Sequence, residues 1–105
     1  MTKTPASVRI GPFDYRFVEM DETDGRAHYG SYSSEMQEIR LRKQFASPAQ
    51  WAETVLHEIL HGIWDDRSIN SKEGEEQVVR KSALGLASVI RHNQDLFAEI
   101  AKALK

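Results

Sequence analysis

The sequence predicts an α+β domain, with short strands in its first half and helices in its second. Three observations carry that expectation. Apolar residues alternate with period two between Ser7 and Lys43, they recur with a helical period from Pro48 onward, and the two patterns do not interleave. At 105 residues the chain is expected to form one domain, residues 1–105, around a single core.

The N-terminal segment Met1–Ser7 is polar, contains Pro5 and is expected to be flexible. In SVRIGPFDYRFVEM, Val8/Ile10 and Phe13/Tyr15/Phe17 alternate on either side of Gly11-Pro12, which predicts two strands joined by a tight turn. DETDGR, with Asp24-Gly25 at its tip, reads as a turn. A second strand pair is expected over 27–32 and 38–43, joined through SSEMQ; in the latter strand Ile39 and Leu41 face one way, Arg40 and Arg42 the other. Ser47-Pro48-Ala49-Gln50 then combines an N-cap serine, a proline at the first helical position and a glutamine three after the cap. That helix should run from Pro48 to about Asp65. A second should begin between Lys72 and Glu75 and reach His92, burying Val79, Ala83, Leu86 and Ile90 with Ser82 and Val89 beside them. Asn93 could cap a third, carrying Leu96, Phe97, Ile100 and Leu104.

Composition narrows the function classes. The formal charge is −2 and no run of lysine or arginine stands out, so neither nucleic acid nor an anionic membrane is an expected partner. No cysteine is present, which excludes disulfides and thiolate metal sites; any metal must be held by His, Asp or Glu. No apolar run reaches the ~20 residues of a membrane span, and MTKTPASVRIG lacks a signal-peptide core, so a cytoplasmic location is expected.

The first long helix holds the chemistry. His57-Glu58-Ile59-Leu60-His61 is an H-E-x-x-H pattern. Side chains at i and i+4 share a helix face about 5–6 Å apart at Cβ, so two imidazoles can converge on one Zn²⁺ at about 2.0–2.1 Å each. Glu58 is rotated ~100° from His57, too far to join readily as a ligand but placed to act as general base on a water that the metal activates. Ala52, Val55, Leu56, Ile59, Leu60 and Ile63 form one broad apolar face, with His57, His61 and Trp64 roughly opposite. The helix should therefore lie with its back in the core and its histidines under a cleft.

A catalytic zinc usually takes three protein ligands. No third histidine follows in Gly62–Arg67. Asp65, four after His61, suits a partner for a histidine N–H better than a ligand, because three ligands on one straight helix would not converge on one tetrahedral ion. Glu75 and Glu76, at the start of the second long helix, are the stronger candidates; either could reach the metal, and the other would be a first-turn acid favoured by the helix dipole.

At these residues the chain resembles a gluzincin, and more specifically the small single-domain zincin-like metallopeptidases of phages and prophages. The resemblance is carried by VRIGPFDYRFV, YGSYSSEMQEIRLR, ETVLHEILHGI and the E-x-V-V-x-x-x-A-x-x-L of Glu76–Leu86, the H-E-x-x-H being its specific part. It implies a minimal zincin fold, His57 and His61 as zinc ligands, Glu76 as the third and Glu58 as catalytic base. It also implies that the strand before the active helix, Glu38–Arg42, lies along the cleft and pairs with an extended polypeptide substrate. Unlike larger gluzincins, these 105 residues are expected to form no sizeable domain beyond the second helix, and no Asn-Glu or Ala-Asp signature stands at the third ligand.

Among other residues, Tyr29 and Tyr32 could place a phenol near the metal, although strand tyrosines more often pack. His28 and His92 match no ligand spacing and should lie at the surface. Arg40 and Arg42 could line a substrate groove, although a solvated strand face is the simpler account. Two functions follow as expectations: a zinc-dependent peptidase, favoured by Glu58, which neither packing nor a closed metal site requires; and a non-catalytic zincin-like module that binds a protein partner, favoured by the chain's small size.

Overall fold

A computed structural model describes residues 4–105. Its elements are β1 (Ser7–Ile10), β2 (Phe13–Glu19), α1 (Glu22–Ala27), β3 (Gly30–Ser33), β4 (Glu38–Leu41), α2 (Pro48–Asp66), α3 (Glu75–His92) and α4 (Gln94–Ala103). The α+β expectation holds, strands preceding the long helices. Of the segment expected to be flexible, Met1–Lys3 lie outside the described residues. The remainder is tied down: Ala6 O accepts the Phe17 N–H, Thr4 Oγ1 accepts the Trp51 indole N–H at 2.9 Å, and Ser7 already belongs to β1.

The four strands form one mixed sheet in the order β1-β2-β4-β3. β1 and β2 are an antiparallel hairpin whose turn uses Gly11 at φ +58°, a conformation open to glycine. β2 runs parallel to β4, which the chain reaches through α1 and β3 before β3 and β4 close as a second antiparallel pair. The period-two pattern is realised: Val8, Ile10, Tyr15, Ile39 and Leu41 are buried on one face. On the other, Glu38 is flanked by the guanidinium groups of Arg16 at 2.6 Å and Arg40 at 3.4 Å.

DETDGR is not a turn. Asp21 accepts the Asp24 N–H at 2.8 Å and caps α1, so the segment closes as a short helix. Ala27 ends that helix, which delays β3 to Gly30. α2 begins as expected, with Ser47 Oγ accepting the Gln50 N–H at 3.1 Å and Gln50 Oε1 accepting the Ala46 N–H at 2.9 Å. It lies across the sheet and fills the core with Trp51, Ala52, Val55, Ile59 and Ile63, to which α3 adds Val89 and α4 adds Leu96 and Ile100. Leu60, expected in the apolar face, is 44% exposed. Between α2 and α3, Glu73 accepts from Lys81 and from the Asn70 N–H, which together hold its carboxyl below the usual carboxylate range. Among the described residues no helix is long and apolar enough to cross a membrane.

α3 is rotated relative to the expectation. Its inward line is Val78, Ser82, Gly85 and Val89, whereas Val79, Ala83 and Ile90 face outward and Leu86 is half-buried. The chain offers two adjacent apolar lines on this helix, and the tight fit of Gly85 against Ile63 of α2 selects the first. Asn93 occupies the N-cap position of α4, as expected, and its carbonyl accepts the Phe97 N–H, but its side chain makes no capping bond. Its side-chain oxygen accepts the Arg9 N–H and its amide donates to Arg9 O, both at 2.8 Å, and to Val89 O at 2.7 Å.

Candidate metal centre

Burial of Ile59 and Ile63 fixes the rotation of α2, and with it the direction of the side chains between them. His57 and His61 emerge on the solvent side, while Glu58 points down beside the sheet and is only 5% exposed. Ligand atoms of His57, Glu58 and His61 all lie within 4.8 Å of one another, and the two imidazole centroids are 5.0 Å apart, edge to face. Two nitrogens on one tetrahedral zinc are separated by about 3.3 Å, a distance that small side-chain rotations reach from here. The group is therefore one that could hold a metal ion.

Burial raises the Glu58 carboxyl above the ordinary carboxylate range, and the adjacent His57 and His61 pull it back down. β3 makes room for this group. A Cβ at Gly30 would stand 2.8 Å from Thr54 Cγ2 and 3.2 Å from Glu58 Oε2, so the absence of a side chain lets α2 press onto the strand here. Neither Gly30 nor Thr54 matches a ligand or catalytic pattern, and sequence reasoning did not single them out. Proximity across the fold is their only signal.

On the other side of the histidines, Tyr32 stacks on His61 with ring centroids 6.3 Å apart and planes 19° from parallel. Its hydroxyl donates to Asp65 Oδ2 at 3.0 Å and is 2.9 Å from the Tyr15 hydroxyl. Burial, then the bonds to Tyr15 and Asp65, push the Tyr32 phenol well above its ordinary range and keep it neutral. Asp65, expected beside a histidine N–H, is thus engaged by Tyr32. Tyr29 takes no part in this network; it borders the depression beside His57 and Glu58, with the Arg42 guanidinium 4.1 Å from its ring centroid.

Two depressions meet at the histidines. One is bounded by Tyr32, Glu35, His61, Trp64 and Asp65, the other by His28, Gly30, Glu53, His57 and Glu58. They lie one after the other along the groove side of α2 and β3, His61 bordering the first and His57 the second. His28 is exposed as expected but borders this groove, while exposed His92 bonds to Ser88 O on α3. The strand expected along the cleft, Glu38–Arg42, is interior: β4 pairs with β2 on one side and β3 on the other. The open edge belongs to β3. Because Tyr29 O accepts the Arg42 N–H, the alternation of an antiparallel ladder turns the peptide groups of Gly30 and Tyr32 away from β4.

Glu75 and Glu76 stand exposed on the first turn of α3, and neither belongs to the His57–Glu58–His61 group. Glu75 is in register with the inward line of α3, three before Val78 and seven before Ser82, while Glu76, the residue that the resemblance implies as third ligand, faces outward.

No family model, no curated protein and no solved structure matches this chain. Fold and site together define a class: a small α+β domain whose central helix presents a His-Glu-His group along the open edge of a mixed sheet.

Proposed function

We propose that this protein is a zinc-dependent peptidase whose site is built on His57, Glu58 and His61. The convergence of two exposed imidazoles on a buried carboxylate carries the reading, because no fold requirement explains that combination. His57 and His61 are the expected ligands. The third is expected from the first turn of α3, as Glu76 by resemblance or as Glu75 by the helix register. A zinc ion held there would supply Lewis acidity toward a carbonyl oxygen and a bound water. Glu58 takes the proton of the attacking water and passes it to the leaving nitrogen, a task favoured by its burial. An extended substrate adds to the edge of β3, pairing with the outward peptide groups of Gly30 and Tyr32, so that its backbone crosses the histidines. Tyr32, its hydroxyl anchored on Asp65, backs the His61 ring from the far side.

A second reading is a metal-dependent partner-binding module without catalysis. The observation favouring it is that neither Glu75 nor Glu76 stands with the histidines.

Metal analysis with a peptide-cleavage assay separates the two. His57→Ala and His61→Ala should each abolish stoichiometric zinc, and full retention in both would exclude the site. Glu58→Gln should retain zinc and lose about 10²–10⁴-fold in hydrolysis of denatured protein or a peptide library. Wild-type protein that is zinc-loaded and cleaves nothing supports the second reading, and equal cleavage by wild type and Glu58→Gln excludes the mechanism. Zinc titration of Glu75→Gln and Glu76→Gln identifies the third ligand.

A further inference from the structure

We infer that α3 is a self-association helix: the outward face formed by Val79, Ala83, Ala87 and Ile90 packs antiparallel against the same face of a second copy of this chain. The inward line of the helix is already used, Gly85 lying against Ile63 and Val89 entering the core. The outward face should then be polar, yet Val79 is 55% exposed, Ile90 is 40% exposed, and Ala83 and Ala87 lie open between them. Their spacing of four, four and three residues makes a continuous stripe along three turns. A solvent-facing helix gains nothing from such a stripe; a helix with a partner does.

The occupant follows from charge and size. The first turn of α3 carries Glu75 and Glu76 and its last turn carries Arg91 and His92. An antiparallel copy brings the acidic end of each helix onto the basic end of the other, whereas a parallel copy would oppose like charges. A two-fold axis at Ala83 sets Ala83 against its own copy and Val79 against Ala87 of the second copy. It also brings Glu76 beside Ile90 and Arg91 of the second copy. Alanine at and near the axis permits the closest interaxial distance of packed helices, about 8 Å. The pairing face lies roughly opposite Gly85, which packs on α2, so association leaves the groove beside β3 open. A single 18-residue helix, ~27 Å long, makes a small isologous interface, and the association is expected to be micromolar.

Sedimentation equilibrium of the full chain over about 5–500 μM, a range bracketing a micromolar Kd, should show the mass rise from 12.0 kDa toward twice that value. Val79→Glu and Ile90→Glu should each weaken association at least ~10-fold with an unchanged circular dichroism spectrum, since both positions lie outside the core. Glu76→Arg and Arg91→Glu should each weaken it ~3–10-fold, and the double reversal should restore it, because each pair occurs twice across the axis. The chain has no cysteine, so Ala83→Cys gives a single thiol that should oxidise rapidly to a disulfide dimer, while Ser71→Cys should not. A monomer at every concentration overturns the inference. So does a dimer indifferent to Ile90→Glu, and charge reversals without mutual rescue overturn the antiparallel arrangement.

Discussion

Glu58 is the residue whose placement costs the most and explains the most. A carboxylate 5% exposed, flanked by Gly30 and Thr54, loses hydration that two exposed imidazoles only partly replace. Packing alone would favour a neutral side chain of the same shape. Glu58→Gln should therefore raise the stability of the metal-free protein at neutral pH by about 0.5–2 kcal/mol in urea denaturation. The sign in pH follows from the raised folded-state pKa: the protonated carboxyl is favoured by folding below the unfolded pKa, and that contribution is lost as pH rises through the folded value. The advantage of the variant should accordingly vanish at acid pH and grow toward neutrality. An equal or lower stability at neutral pH would show that the carboxylate is adequately compensated without a metal. Tyr32 has the converse character, since its hydroxyl is satisfied by Tyr15 and Asp65 while its ring backs His61.

Among the elements, α2 and α3 depend on a missing side chain where they touch. A Cβ at Gly85 would stand 2.5 Å from Ile63 Cγ2, a branched methyl in a fully packed core position. Alanine raises intrinsic helix propensity by ~1 kcal/mol, which opposes the clash. Overpacking a core typically costs about 1–3 kcal/mol, so Gly85→Ala is expected to lower stability by about 1 kcal/mol net, read as a fall in the urea midpoint at constant m. A rise instead would mean that α3 can slide, and with it that the outward position of Val79 and Ile90 is adjustable.

On the scale of the whole molecule, the two edges of the sheet are treated differently. The β1 edge is occupied at Arg9, where the Asn93 side chain accepts from its N–H and donates to its carbonyl like a neighbouring strand. The same amide group bonds to Val89 O, so one residue ties the sheet to the junction of α3 and α4. Among the described residues the β3 edge has no such cover, and it runs beside the histidines. Asn93→Ala removes three hydrogen bonds at a site open to water, and a loss of about 1–2 kcal/mol in chemical denaturation is expected. It should leave the proposed metal binding at His57 and His61 unchanged, because Asn93 lies on other elements; a coupled loss of metal would show that the two edges communicate.

The sequence by itself determined the class of the fold, the extent of α2 and α3 to within a residue or so, and the trio His57, Glu58 and His61. Those features depend on local physics: a serine cap followed by proline, the alternation of Val8, Ile10, Tyr15, Ile39 and Leu41, and a helical spacing that sets two imidazoles on one face whatever surrounds them. Tertiary structure decided the rest. DETDGR reads as a turn, and the fold made it a short helix capped by Asp21 instead. Strand order cannot be read from strand pattern, so only the assembled sheet reveals that β3 is the open edge and β4 is interior. Two apolar lines on α3 differ by one residue, and the contact of Gly85 with Ile63 chose between them. That choice turned Glu76 and Val79 outward and gave Glu75 the inward register, because a helix rotates as a unit and its best-fitting contact orients every other side chain on it.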